Sequence, residues 1–112
     1  MGAGLTVEIA RLEGEVVISV AGEADIASVE QLRDAIEPHL SPRQTIVLDL
    51  SGLTFLDSSF LGVLVQARGE LGERGGTLLL RNPSETALRV LTLTDLTDLV
   101  DIEIDRQADE QG

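Results

Sequence analysis

Three adjacent residues, Asp57, Ser58 and Ser59, combine a carboxylate with two hydroxyls where a helix is predicted to begin. At a helix start, such side chains most often accept hydrogen bonds from free backbone N–H groups. A hydroxyl there can also act as a nucleophile. No Gly-x-Ser-x-Gly turn surrounds Ser58, which disfavours the nucleophile. A phosphoaspartate at Asp57 is disfavoured as well, because receiver-type sites also use a lysine ammonium.

The composition excludes many other kinds of chemistry. The 112 residues contain no cysteine and one histidine, so thiolate and multi-histidine metal sites are excluded, and we expect no metal and no cofactor. All eight basic residues are arginines, which removes Schiff-base catalysis and Walker-A phosphate binding. The glycines near Gly75 follow a predicted helix end, where the helix dipole repels anions. We therefore predict that the protein is not an enzyme.

Net charge and hydropathy narrow the range of partners. Twenty acidic residues against eight basic ones give a net charge of −12, which repels nucleic-acid phosphates and anionic lipid surfaces. No apolar stretch is long enough for a membrane span or a secretory signal. The hydrophobic content of 43% is sufficient for one packed core. We expect a cytoplasmic, monomeric domain that binds neither nucleic acid nor membrane.

The apolar pattern alternates between strands and helices. Alternating or continuous apolar runs predict strands at about 5–9, 16–20, 46–50, 77–81 and 100–104. The turn at 13–15 joins the first two strands as a hairpin. The last strand carries acids on one side, which is typical of an edge strand whose charges prevent it from pairing with another chain.

Three helices are predicted between these strands. Asp25 is a suitable N-cap for the first, whose apolar positions run from Ile26 to Leu40 and which Pro38 should end or kink. A loop at 51–56 leads to the second helix, which runs to about Glu73 before Gly75 and Gly76. The third begins after Pro83-Ser84 and carries Ala87, Leu88 and Leu91.

The order β-β-α-β-α-β-α-β predicts one α/β domain with a mixed sheet and helices packed against it. We expect this domain to span residues 1–112, with a core at about 5–105 and a flexible tail at 106–112.

The second helix has two unlike faces when it is drawn at 100° per residue. One face is apolar and should contact the sheet: Phe60, Leu61, Leu64, Ala67 and Leu71. The other carries Ser59, Gly62, Gln66, Gly69 and Glu73. Glycine inside a solvent-facing helix costs roughly 0.5–1 kcal/mol relative to alanine. These glycines are either an accident of composition or places where another protein approaches the helix closely.

The run from Val47 to Gly62 closely resembles the motif of STAS-domain anti-sigma-factor antagonists, and the run from Gly22 to Ile26 resembles the second motif of that family. The resemblance implies a STAS-like fold and binding to an anti-sigma factor that is also a GHKL-type serine kinase. That kinase phosphorylates the serine after the motif aspartate, which ends the interaction, and a PP2C-type phosphatase can reverse the modification.

The matching phosphoacceptor in this chain is Ser58, and Asp25 and Asp57 match the motif acids near it. We expect the partner-binding residues to be Asp25, Asp57, Ser59, Gly62 and Gln66. One residue departs from the family pattern, because Phe60 stands where the family usually has glycine. Phe60 either joins the apolar face of the helix or, if exposed, is a candidate anchor for a partner.

Two other functions stay open at this stage. A STAS scaffold or adaptor subunit of a transport ATPase or of a stress-sensing assembly would share the fold and the helix-start motif. A small enzyme or nucleotide-binding domain is the remaining alternative, and the absence of lysine weighs against it.

Overall fold

A mixed β-sheet forms the centre of the structure, a computed structural model that describes residues 4–93 and 101–103. Within these residues the sheet has five strands in the order β1-β2-β3-β4-β5. They are β1 (Leu5–Leu12), β2 (Glu15–Ala24), β3 (Thr45–Leu56), β4 (Thr77–Arg81) and β5 (Asp101–Glu103). β1 pairs with β2 in antiparallel orientation, and the pairs from β2 to β5 are parallel.

Helices connect the parallel strands. They are α1 (Val29–Ile36), followed by a 3-10 helix (Glu37–His39), α2 (Ser58–Glu73) and α3 (Glu85–Leu93). The structure therefore confirms the predicted order of elements. The predicted helix ends are also observed: α1 is followed by the 3-10 turn that contains Pro38, and Gly75 follows α2 with φ +76°. The predicted start of α3 is observed as well, because Ser84 Oγ accepts a hydrogen bond from Ala87 N at 3.1 Å.

The hydrophobic core lies between the helices and one face of the sheet. Because side chains alternate along a strand, the residues paired across β2, β3 and β4 point to the same side. Those that enter the core from the strands are Val16, Ile18, Val20, Ile46, Leu48, Leu50, Leu78 and Leu80. All three helices contribute to the same core, α1 with Leu32, α2 with Leu64 and Leu71, and α3 with Leu91.

Several predicted boundaries are wrong. The first two strands are longer than expected and end at Leu12 and Ala24. The segment 51–56 is not a loop, because β3 continues to Leu56 and pairs with β2 as far as Ala24. The continuation includes two register shifts between β2 and β3, and such bulges interrupt the regular alternation that marks a strand in a sequence.

The first helix also begins later than predicted. α1 starts at Val29 with Ser28 at its N-cap, and residues 26–28 form a turn instead. Ile26 was expected on the buried side of this helix, but it is 80% exposed. The reason is that the Asp25 carboxylate binds the N–H groups of the turn and thereby holds Ile26 outside the helix.

Some predictions fall on residues that the structure does not describe. The tail 106–112 and the positions of Val100 and Ile104 lie outside the described ranges. In the part of the chain that is described, no helix is both long enough and apolar enough to cross a membrane.

Candidate functional site

Parallel pairing of β2 with β3 brings the two polar motifs of the sequence together. At the ends of these strands Glu23 lies opposite Phe55 and Ala24 lies opposite Leu56. Directly beyond this pair, Asp57 N donates a hydrogen bond to the carbonyl oxygen of Ala24 at 3.2 Å. The segment around Asp25 and the segment around Asp57 are therefore neighbours at the carboxyl ends of adjacent strands.

Gly22 in the first motif has a structural reason to be glycine. Its φ is +98°, in the left-handed region that side chains disfavour, and a Cβ there would collide with the carbonyl oxygen of Gly4. That oxygen accepts a hydrogen bond from Glu23 N at 3.0 Å. Gly22 thus lets the backbone before β1 approach closely and fixes the start of the motif.

The carboxylate of Asp25 organises the turn that follows. Asp25 Oδ1 accepts hydrogen bonds from Ala27 N and Ser28 N, both at 3.1 Å, and from Ser28 Oγ at 2.9 Å. The carbonyl oxygen of Glu23 lies at 2.8 Å from the same Ser28 Oγ, so its single proton can be donated either to Asp25 Oδ1 or to this carbonyl. Asp25 therefore shapes this surface through its own backbone contacts, and it is half-buried rather than fully exposed.

Asp57 is the N-cap of α2, in the extended conformation that helix caps adopt. Its Oδ1 accepts a hydrogen bond from Ser59 N at 3.0 Å and a short one from Ser59 Oγ at 2.5 Å. The carboxylate thus binds the second serine of the triplet through both its backbone and its side chain.

The two serines of the triplet differ in accessibility. Ser59 is half-buried and its hydroxyl is bound to Asp57. Ser58 is exposed at the first position of α2, and its side chain makes no hydrogen bond to another described residue. Of the two hydroxyls, that of Ser58 is the one that an approaching protein can reach without breaking a hydrogen bond.

Hydrogen bonding lowers the pKa of Asp57 below its ordinary value of 3.8. The largest cause is the hydroxyl of Ser59, which stabilises the charged carboxylate. Partial burial opposes this effect, and the backbone N–H groups of Ser59, Phe60 and Ile26 add to it. The carboxylate is therefore charged at neutral pH, so Ser58 lies beside a fixed negative charge.

Phe60 joins the apolar face of α2. It is 0% exposed and belongs to the core with Val63 and Leu64. The first of its two predicted alternatives is therefore correct, and Phe60 is not an exposed anchor. Its large side chain faces away from Ser58, as expected for residues two positions apart on a helix.

The remaining predicted partner-binding residues lie further along α2. Gly62 is exposed, and a Cβ placed on it would have no atom within 4 Å. Gln66 is also exposed, but its Oε1 accepts a hydrogen bond from Arg33 of α1 at 2.6 Å. The structure thus groups Asp25, Asp57, Ser58 and Ser59 closely, places Gly62 one turn away, and engages Gln66 in a contact between helices.

The surroundings of Ser58 are acidic. The segments 12–32 and 44–67, which carry both motifs, contain no lysine, arginine or histidine. Among residues 4–93 no cluster of three or more histidine, cysteine or acidic side chains is arranged to hold a metal ion. The site can present a hydroxyl and carboxylates to a partner, and Arg33, which lies just outside these segments, is bound to Gln66 and Glu30.

Sequence reasoning missed two exposed apolar side chains at this site. Ile26 follows Asp25 and was assigned to the core, and Phe55, 47% exposed, was assigned to a loop. A signal for Ile26 was present, because Asp25 followed by Ser28 at the third position is typical of a side-chain-bonded turn. No such signal exists for Phe55, because the residue type alone does not indicate whether an aromatic side chain at a strand end is buried or exposed.

The fold and the site define a class of small α/β domains in which a free serine begins the helix after the central strand. The chain belongs to the STAS domain family, because the family model described as "Mlab, STAS domain" matches residues 7–101. An anti-sigma-B factor antagonist of Bacillus subtilis is 31% identical over 98 residues, which cover 88% of this chain and 90% of the relative.

Solved structures agree with this assignment. An anti-sigma factor antagonist from Mycobacterium paratuberculosis superimposes with a TM-score of 0.79 at 27% identity, covering 96% of this chain and 92% of the other. The anti-sigma factor antagonist SpoIIAA in its unphosphorylated form gives a TM-score of 0.75 at 28% identity, covering 91% and 90%. SpoIIAA of Bacillus in its phosphorylated form gives 0.70 at 28% identity, covering 91% and 93%.

Proposed function

We propose that this protein is an anti-sigma factor antagonist that binds a serine-kinase anti-sigma factor and is inactivated by phosphorylation of Ser58. Binding would release the sigma factor that the anti-sigma factor otherwise holds. The single observation that supports the assignment of Ser58 is its exposed hydroxyl at the start of α2, beside a neighbouring serine whose hydroxyl is bound to Asp57. The relatives named as antagonists and the phosphorylated form of SpoIIAA support the class.

A phosphate on Ser58 is compatible with the fold. It adds about −1.5 to −2 charges at pH 7. The first residue of α2 lies at the positive end of the helix dipole, which favours a nearby anion by roughly 0.3–1 kcal/mol. The side chain is exposed, so the phosphate displaces no core residue. Phosphorylation should therefore leave the folded structure intact and act on binding instead.

The phosphate should destabilise the complex with the partner. A dianion at Ser58 must be desolvated when a partner docks, next to the charged carboxylate of Asp57. A penalty of about 2–4 kcal/mol lowers affinity roughly thirty- to a thousand-fold. A change of this size is sufficient for a switch, and removal of the phosphate by a PP2C-type phosphatase would restore binding.

The decisive experiment is phosphorylation by the cognate kinase with labelled ATP, using wild type, Ser58→Ala and the matched control Ser59→Ala. Wild type and Ser59→Ala should be labelled, and Ser58→Ala should not. Ser58→Ala should also keep the kinase bound in the presence of ATP, whereas Ser58→Glu should bind poorly. Labelling of Ser59 with Ser58 untouched would overturn the assignment.

An adaptor subunit of a transport ATPase or of a stress-sensing assembly is a second candidate. One relative, 33% identical over 89 residues, is named only as a STAS-domain containing protein of Pseudomonas aeruginosa, so the names of the relatives do not restrict the family to antagonists. The two functions differ in their response to ATP. A complex from the native cell that ATP dissociates, with label on Ser58, supports the antagonist, whereas a complex that ATP does not affect supports the adaptor.

A further inference from the structure

Two exposed apolar side chains lie on the two segments that meet at Asp57, the residue before Ser58. Ile26 is 80% exposed and Phe55 is 47% exposed. They lie on adjacent segments, since Phe55 pairs with Glu23 in the sheet and the backbone N–H of Ile26 faces the carboxylate of Asp57. Ser58 follows Phe55 by three residues. We call Ile26 and Phe55 the apolar pair.

The turn that carries Ile26 is held in place before any partner binds. Asp25 Oδ1 accepts hydrogen bonds from the backbone N–H groups of Ala27 and Ser28, and the Ser28 hydroxyl donates either to Asp25 Oδ1 or to the carbonyl oxygen of Glu23. An apolar side chain on a fixed turn loses little conformational entropy when it enters a pocket. Preorganised apolar anchors at the centre of a contact are typical of residues that dominate binding energy.

The charge around the apolar pair limits what can cover it. The segments that form this surface carry the acids Glu23, Asp25 and Asp57, and no basic residue occurs from 12 to 32 or from 44 to 67. The basic residue that follows the first segment, Arg33, is paired with Glu30 and hydrogen-bonded to Gln66. A second copy of this chain would bring like charges together at the same contact. The surface instead fits a partner with an apolar pocket surrounded by basic side chains.

We infer that Ile26 and Phe55 anchor the kinase partner, inserting into an apolar pocket with a basic rim and thereby holding Ser58 at the phosphorylation site. The inference rests on the proposed function and deepens it. It separates two roles on one surface: the apolar pair supplies affinity, and Ser58 supplies the switch. Phosphorylation then adds charge at the edge of the pocket without altering the anchors themselves.

The test measures the affinity of the unphosphorylated full chain for its cognate kinase. Ile26→Ala and Phe55→Ala should each bind at least tenfold more weakly than wild type. Leu12→Ala is the matched control, because Leu12 is 56% exposed at the opposite end of the sheet, where β1 turns into β2. It should bind within about twofold of wild type. Wild-type affinity should also fall as salt is raised, since a basic rim faces an acidic surface.

Because Ile26 is almost fully exposed, Ile26→Ala should retain the thermal midpoint of wild type, so that weaker binding cannot be ascribed to unfolding. Binding of both variants within twofold of wild type, while Ser58 is still labelled, would overturn the anchor and leave the proposed function standing. A wild type that binds no kinase would overturn both. A dimer of the wild type that Ile26→Asp dissociates would assign the apolar pair to self-association and overturn the inference as well.

Discussion

The hydroxyl of Ser59 donates a hydrogen bond of 2.5 Å to Asp57 Oδ1, and the neighbouring hydroxyl of Ser58 makes none to any described residue. The carboxylate of Asp57 therefore binds the side chain of only one of the two adjacent serines. It uses Ser59 to complete the cap of α2 and leaves Ser58 directed to the surface. The difference in accessibility between the two serines thus arises from one local contact at a helix start.

Ser58→Ala and Ser59→Ala should differ in stability, because only Ser59 contributes a hydrogen bond to the cap of α2. Both positions lie in the first turn of α2, so alanine gives both variants a similar gain in helix propensity. Ser59→Ala loses a hydrogen bond to a charged group and should lower the free energy of unfolding by about 1.5–3 kcal/mol relative to Ser58→Ala. Urea denaturation of the two variants and wild type at pH 7 measures the difference.

Equal stabilities for the two variants would show that the Ser59–Asp57 contact contributes nothing to the fold. A larger loss for Ser58→Ala than for Ser59→Ala would contradict the description of the site. The matched pair is informative because each variant serves as the control for the other.

The lowered pKa of Asp57 predicts a pH dependence of stability on the acid side. A carboxylate whose pKa is lower in the folded than in the unfolded state stabilises the fold above the unfolded value, and this contribution is lost as the pH falls through the folded value. The ordinary pKa of this group is 3.8, so its contribution should be complete near neutral pH and should decline below about 4.

Asp57→Asn isolates this effect, because asparagine keeps an oxygen that can accept the same hydrogen bonds and is itself a good N-cap. Wild type should be more stable than Asp57→Asn at pH 7, and the difference should shrink as the pH is lowered to 3. Guanidinium denaturation at a series of pH values measures both proteins under the same conditions. A difference that is constant from pH 7 to pH 3 would contradict the lowered pKa.

Phe60 should matter for stability and not for binding. Its side chain is completely buried, and removal of a buried phenylalanine side chain costs about 3–5 kcal/mol, a large part of the 5–15 kcal/mol typical of a domain. Phe60→Leu, which leaves a smaller cavity, should cost less than Phe60→Ala. Chemical denaturation tests the stabilities, and Phe60→Leu should bind the kinase partner with wild-type affinity. A tenfold loss of affinity in folded Phe60→Leu would show that the core position reaches the interface.

The parts of the fold that the sequence predicts best are those where the local signals agree. Ser58–Glu73 forms α2 as expected, because an N-cap, a helical apolar spacing and a glycine end coincide there. Thr77–Arg81 forms β4 within the predicted bounds, since an apolar run stands between two turn signals. Of the site, the cap role of a helix-start carboxylate follows from propensity, whereas Ser58 was singled out by family resemblance alone.

The errors occur where a specific contact, either between elements or within a turn, outweighs the apolar spacing. The extension of β3 to Leu56 depends on pairing with β2 through two register shifts, which no local periodicity encodes. Ile26 fits the apolar spacing of α1, yet the hydrogen bonds of Asp25 keep residues 26–28 out of the helix. The hydrogen bond from Arg33 to Gln66 joins two helices and depends on their packing. These contacts shape the surface around Ser58, and the apolar spacing alone does not indicate that Ile26 and Phe55 are exposed there.

Gly62 provides the test of whether a partner approaches α2 closely near Ser58. It is exposed, no atom surrounds the place of its missing Cβ, and a leucine there should raise stability by roughly 0.5–1 kcal/mol through helix propensity. If the partner contacts this turn of α2, the same leucine collides with it, and the affinity for the kinase should fall at least tenfold. Calorimetric titration with the kinase, together with a thermal melt of each variant, measures both effects.

Gly72→Leu is the matched control for this change. Gly72 also lies in α2 with open space at its Cβ, but at 1.5 Å per residue it is about 21 Å from Ser58 along the helix, compared with about 6 Å for Gly62. Both variants should gain similar stability, and only Gly62→Leu should lose affinity. Unchanged binding by Gly62→Leu would mean that the glycine reflects composition alone and that the contact surface ends at the first turn of the helix. Equal losses in both variants would instead place the partner along the whole length of α2, because a leucine 21 Å from Ser58 could then reach it.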